Sequence, residues 1–115
     1  MIVVHGLKNC DGCRAAMKRL GAAGIDARLN DIGTDGVARE TLAHWLAALG
    51  AAVLVNRKSA TWRGLDDVSR ALAEDDPLAL LAANPKLIKR PVIETPDGAV
   101  HAGLGDDLLS RLSSP

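Results

Sequence analysis

Phenylalanine and tyrosine are absent from this chain of 115 residues, and two tryptophans, Trp45 and Trp62, are its only aromatic rings of that class. The core must therefore be built from aliphatic side chains and alanine around those two rings. An excess of charge is also missing, since 14 Lys and Arg balance 14 Asp and Glu. A chain without net charge has no electrostatic footprint for nucleic acid or an anionic membrane, and such a partner would need a local patch. The one candidate, Lys86 with Lys89-Arg90, is of a size more often found as a solvated face or a small anion site. Long apolar runs are lacking too. The Ala-rich stretch ending at Val55 is broken by Gly50, and the start has neither the charged n-region nor the long apolar h-region of a secretory signal. A cytoplasmic chain without membrane or direct nucleic-acid partners is the expectation. No Gly-rich phosphate loop, carboxylate dyad or serine triad occurs at usable spacing.

Cysteine is scarce, but both copies fall in Cys10-Asp11-Gly12-Cys13. Residues three apart are neighbours on the first turn of a helix, so the two sulfurs can close a small disulfide ring. Unpaired N–H groups and the positive dipole end at a helix start favour thiolate, bringing such cysteines from about 8.5 into the range of roughly 3.5–7.5. Lys8 and Arg14 flank the pair and push the same way, while Asp11 opposes them. Cys10, on the loop side, is the expected nucleophile and Cys13, one turn in, the resolving thiol. The competing reading is two buried, inert thiols acting as small apolar residues. Zinc would need more ligands, and His5, His44 and His101 form no paired cluster to supply them, so no metal is expected. These histidines read as satisfied or solvated side chains.

The pattern along the chain predicts a strand over Ile2 to His5, a helix over Asp11 to Ala23 ended by Gly24, and an alternating strand over Ile25 to Ile32. A turn over Gly33 to Gly36 follows. Val37 to Leu49 carries Leu42, Trp45, Leu46 and Leu49 at helical spacing and is closed by Gly50. Ala52 to Asn56 is apolar but too short to classify. Asp66 to Ala73 and Pro77 to Ala83 predict two short helices, the second announced by Asp76-Pro77. Pro85 ends the helical region. Arg90 to Thr95 and Ala99 to Ala102 flank Pro96-Asp97-Gly98 as a hairpin, and Asp106 to Leu112 forms a last helix. This order, βαβ, helices, then ββα, describes an α/β thioredoxin-like mixed sheet in one domain over residues 1–115, with a helical insertion at about 37–84.

Three segments carry a resemblance: Gly6-Leu7-Lys8-Asn9-Cys10-Asp11; Asn56-Arg57 with Thr61-Trp62-Arg63 and Leu65-Asp66; and Leu87-Ile88-Lys89-Arg90-Pro91-Val92. Together they resemble the arsenate reductase-related family of glutathione-dependent arsenate reductases, YffB proteins and Spx-type transcription regulators. The likeness runs over nearly the whole chain, and its middle and end segments are most similar to YffB proteins. The resemblance implies that Cys10 is the catalytic cysteine, that Arg57 and Arg90 bind anions, and that Pro91 is the cis proline beside which an extended thiol peptide or glutathione pairs. Without it, Arg57 and Arg90 would read as surface salt-bridge partners. Two departures stand out. Gly103 falls where the arsenate reductases have a third arginine, which weakens the hold on arsenate. Cys13 is lacking in many arsenate reductases and YffB proteins but present in Spx-type regulators.

The leading expectation is thus a thiol-disulfide oxidoreductase, a monomer with no bound cofactor, that takes glutathione as co-substrate or reacts with protein thiols. Lys8, Arg57 and Arg90 would hold the glutathione carboxylates. The alternative is an Spx-like redox regulator docking on RNA polymerase, disfavoured because the chain ends soon after its last helix without a longer basic extension.

Overall fold

In the computed structural model, residues 1–113 are described; of the expected domain, 114 and 115 lie outside them. The chain forms two compact units, one built from Met1–Asp31 and the chain from Arg90 onward, the other from Ile32–Lys89. The helical unit is wider than the 37–84 read from the sequence.

In the first unit, β1 (Ile2–Gly6) pairs in parallel with β2 (Ala27–Asp31) and antiparallel with β3 (Val92–Glu94), which pairs antiparallel with β4 (Val100–Ala102). The order β2-β1-β3-β4 makes a four-stranded mixed sheet. Because side chains alternate across a strand, Ile2 and Val4 of β1 point to one face with Ile93, their antiparallel neighbour. Helix α1 (Asp11–Ala22) lays Ala16 and Leu20 on that face, and Leu108 of α8 (Asp106–Ser113) completes the buried cluster.

Helix α1 stops in a Schellman motif. Ile25 N–H donates to Leu20 C=O at 2.9 Å and Gly24 N–H to Gly21 C=O at 3.0 Å, with Gly24 at φ 73° where a side chain would be strained. That closure explains why β2 begins at Ala27 and not Ile25. Ile25 is consumed by the helix end and packs on the core cluster.

The second unit is a run of short helices: α2 (Ile32–Asp35), α3 (Arg39–Leu49), α4 (Ala51–Leu54), α5 (Ala60–Arg63), α6 (Asp67–Asp75) and α7 (Pro77–Ala83), then a 3₁₀ turn at Pro85–Leu87. Several differ from the sequence expectation. The segment read as a turn at 33–36 is the helical turn α2, which packs on the 3₁₀ turn. Pro85 opens that 3₁₀ turn because proline fits the first helical position. Helix α5 was not expected, although Ser59 is its cap, accepting Trp62 N–H at 3.1 Å. Asp66 and Asp76 cap α6 and α7, accepting Ser69 N–H at 2.7 Å and Ala79 N–H at 3.2 Å. Trp45 is fully buried as expected, whereas Trp62 is only half-buried. The hairpin strands are shorter than read because Arg90 and Pro91 stand outside the ladder and Thr95 turns the corner, its N–H donating to Ala99 C=O at 3.1 Å. Among the described residues no helix is long and apolar enough to cross a membrane.

On the other face of the sheet, His5 is 7% exposed and hydrogen-bonded across three strands. Asn30 Nδ2 can only donate, so His5 Nδ1 accepts its bond at 3.0 Å and His5 Nε2–H donates to Glu94. Burial holds the imidazole below its ordinary value; the bond to Glu94 and the Glu94 charge oppose this, and Arg28 adds to it. The folded state therefore binds fewer protons at His5 than the unfolded chain. The stability His5 contributes is complete above about pH 6.5 and is lost as pH falls through the lower folded value. Urea midpoints measured at pH 7.5 and 5.5 should fall with pH. His5→Leu should cost about 1–3 kcal/mol at pH 7.5 by stranding Asn30 and Glu94, and should flatten that dependence.

Candidate active site

The parallel strand β1 ends at Gly6, and the loop over residues 7–10 turns the chain into α1. Cys10 N–H donates to Leu7 C=O at 3.1 Å, closing the loop, and Cys10 C=O accepts Arg14 N–H at 3.0 Å as the first helical bond. Cys10 is thus the N-cap, with φ −89° and ψ 122°. A sulfur stands where a Ser or Asp oxygen would ordinarily accept the helix N–H groups. The Cys13 N–H acts on that sulfur without closing a full capping bond.

The two cysteines are free thiols in different surroundings: Cys10 is half-buried and Cys13 has no exposed surface. Partial burial pushes Cys10 up. Against it stand the Cys13 thiol and N–H and the Arg90 guanidinium, which bonds to the sulfur and adds its charge. Together they hold Cys10 below the ordinary cysteine value. Cys13 goes the other way, to about 11, because it is buried, donates its thiol to Cys10 and faces the Cys10 charge; the Leu7 N–H and Arg90 offset only part of this. The arrangement favours the thiolate at the half-buried Cys10, which accepts from the buried Cys13 thiol, and disfavours it at Cys13.

The structure brings Cys10, Cys13, Arg90 and Pro91 together. Pro91 is buried, its peptide with Arg90 is cis, and its Cδ lies 4.0 Å from where a side chain at Gly12 would begin. Pro91 C=O accepts Gly103 N–H at 2.8 Å, so the residue at the third-arginine position contributes only backbone, at φ 80°. Lys8 and Arg14, the cations adjacent in sequence, are exposed, and Lys8 N–H donates to Asp31 Oδ2 at 3.2 Å. The cation at the sulfur is Arg90 instead. Arg57 belongs to the helical unit, where its guanidinium pairs with Glu74 at 3.1 Å and lies 5.4 Å from the Trp62 ring centroid. Arg70 approaches the same ring at 5.9 Å. No group of three or more potential metal ligands gathers among the described residues.

Sequence reasoning missed Gly6. A Cβ built there would stand 2.2 Å from Cys13 Sγ and 3.1 Å from Cys13 Cβ. The bare backbone at the end of β1 is the niche that holds the buried sulfur. Its signals in the sequence were a glycine directly after the strand expected over Ile2 to His5 and that glycine's place at the head of the segment that carries Cys10.

A model of the ArsC family matches residues 5–109. The chain belongs to the ArsC family. This places it at family level among arsenate reductase-like, thiol-dependent oxidoreductases, and its four-stranded mixed sheet is the thioredoxin-like ArsC fold. The chain is 41% identical over 107 residues to an uncharacterized protein of Haemophilus influenzae, covering 92% of this chain and 93% of that one. Among solved structures, it is similar to a YffB protein at 31% identity and TM-score 0.90, over 99% of this chain and 100% of that one. An arsenate reductase (ArsC) related protein from Brucella melitensis shares 31% identity at TM-score 0.75, over 96% and 92% of the two chains.

The two glycines of this ArsC-family loop differ in what they tolerate. Gly6→Ala forces the Cys13 sulfur to move and should destabilise the reduced protein by about 1–3 kcal/mol in urea denaturation. Gly12→Ala meets only the 4.0 Å contact with Pro91 and should be neutral, or stabilising by up to about 1 kcal/mol. Adding Cys13→Ala to Gly6→Ala should recover part of the loss.

Proposed function

We propose that this ArsC-family chain is a cytoplasmic thiol-disulfide oxidoreductase in which Cys10 attacks a glutathione or protein disulfide and Cys13 resolves the mixed disulfide. The observation that carries this reading is the opposite shift of two thiols on one helical turn. A low-lying Cys10 provides the nucleophile, and a buried Cys13 remains protonated until it is required.

The steps balance. The Cys10 thiolate forms a bond to one substrate sulfur as the substrate S–S bond breaks, releasing the other half as thiolate. Once Cys10 is in the mixed disulfide, its negative charge and acceptor lone pair no longer hold the Cys13 proton, and two of the causes that raise Cys13 disappear. Cys13 passes its proton to the released thiolate and attacks Cys10, expelling the second half. The substrate disulfide is reduced by two electrons, and the protein pair is oxidised to a Cys10–Cys13 disulfide. Two glutathione molecules return it to the dithiol and leave as glutathione disulfide.

Arsenate is the narrower alternative substrate within the family. The position of Gly103 and the pairing of Arg57 with Glu74 favour a disulfide, since Arg90 is the guanidinium bonded to the Cys10 sulfur.

Alkylation rates against pH test the assignment. Cys10 should react well below the pH at which Cys13 does, and Cys13→Ala or Arg90→Ala should each raise the Cys10 midpoint by removing a side-chain donor that lowers it. With glutathione disulfide, wild type should end as an internal disulfide, Cys13→Ser should stop at the glutathione adduct, and Cys10→Ser should not turn over. A Cys10→Ser protein with wild-type turnover would sink the proposal.

A further inference from the structure

Beyond the thiol chemistry, the helical unit contains a concave site with a charge composition unlike the rest of the chain. Overall the molecule is neutral, yet a cavity of about 180 Å³ is lined by Arg57, Lys58 and Lys89 and by no acidic residue. Its remaining wall includes Asn56 and the apolar Val53 and Val55.

The backbone fixes this grouping. Val55 and Ile88 form an isolated antiparallel bridge, Asn56 N–H donates to Leu87 C=O at 2.9 Å, and Lys89 N–H donates to Leu54 C=O at 2.8 Å. Two segments distant in sequence are thereby clamped side by side, which places Lys89 across from the turn bearing Arg57 and Lys58. That turn is fixed by Asn56 Oδ1, which accepts Lys58 N–H at 3.1 Å. Arg57 is already committed to Glu74 and the Trp62 ring. The ammonium groups of Lys58 and Lys89 have no carboxylate partner among the described residues. Like charges held in one concave site repel, and the arrangement is relieved by an anion.

We propose that this pocket is a binding site for a compact oxyanion group of the carboxylate or phosphate class, held by Lys58 and Lys89 with Asn56 at its edge. The cavity has room for the anionic head alone, so the remainder of a larger ligand such as a peptide lies outside it. Lys58 and Lys89 are the residues that determine affinity, because a pair of point charges on flexible stems accepts either oxyanion, whereas a guanidinium fork selects by geometry.

The test titrates the reduced full chain, labelled for NMR, at low ionic strength with sodium phosphate and separately with S-methylglutathione, whose carboxylates are intact and whose sulfur cannot exchange. Shifts should concentrate at residues 53–58 and 89, and should diminish with added salt. The Lys58→Ala/Lys89→Ala variant should bind about tenfold more weakly, while Lys18→Ala, an exposed lysine of α1, should bind as wild type does. A response to phosphate alone assigns the site to a free oxyanion, and a response to S-methylglutathione alone assigns it to a peptide carboxylate; either supports the site. Shifts centred elsewhere, undiminished binding by the double variant, or no response to either probe overturns it. Neither probe reacts with Cys10, so failure here leaves the thiol reading standing.

Discussion

The hydrogen bond from the Cys13 thiol to the Cys10 sulfur is the interaction on which the chemistry of this molecule rests. Its donor must keep its proton, and the fold secures this by burying the Cys13 sulfur while leaving Cys10, the acceptor, partly open. Burial alone would raise both thiols. The difference arises because Cys13, having no exposed surface, stays protonated and lends its proton to Cys10. Arg90 then acts mainly on the more accessible sulfur.

That bond constrains residues with no reactive group of their own. The Cys13 sulfur fits only because β1 ends in Gly6, whose missing side chain leaves the niche. Helix α1 must be capped at Cys10, since moving the cap one residue on would take Cys10 out of the helix start and away from the unpaired N–H groups. The Schellman closure at Gly24 and Ile25 fixes the far end of the same helix, and Leu20 and Ala16 anchor its length on the sheet. Packing energy from an aliphatic core is thus converted into the placement of one sulfur. The neutral His5, bridging Asn30 and Glu94 on the opposite face, ties together the three strands from which Gly6 and Pro91 project.

Much of this was legible in the sequence, for identifiable reasons. The Cys-x-x-Cys spacing, the helix after it, the Asp76-Pro77 cap and the Pro96-Asp97-Gly98 hairpin are local signals, set by a few residues and read without tertiary knowledge. The one-turn helices at Ile32–Asp35, Ala51–Leu54 and Ala60–Arg63 were not legible, because helices of one turn have no periodicity to detect and are maintained by contacts with distant segments. The same limit applied to electrostatics. Lys8 and Arg14 are near Cys10 in sequence but exposed, and the guanidinium at the sulfur comes from the other end of the chain, where only the resemblance pointed to it. Gly6 was visible as a residue but not as a constraint, since what it avoids is a contact with a side chain seven positions on.

The charge arrangement around Cys10 also bears on which electrophile suits it. An arsenate oxyanion brings two negative charges to a site whose nucleophile is itself negative, so its approach depends on several cations converging on one point. Here one guanidinium is bonded to the sulfur, Gly103 offers a backbone N–H already donated to Pro91, and Arg57 is paired with Glu74. A disulfide brings no charge to the reacting sulfur, and the single cation needs only to stabilise the thiolate that attacks. Each added arginine would lower Cys10 further, and a thiolate of very low pKa is a weaker nucleophile toward sulfur. Under the proposed reading, one guanidinium and one neutral thiol donor suit exchange with disulfides better than reduction of a doubly charged oxyanion.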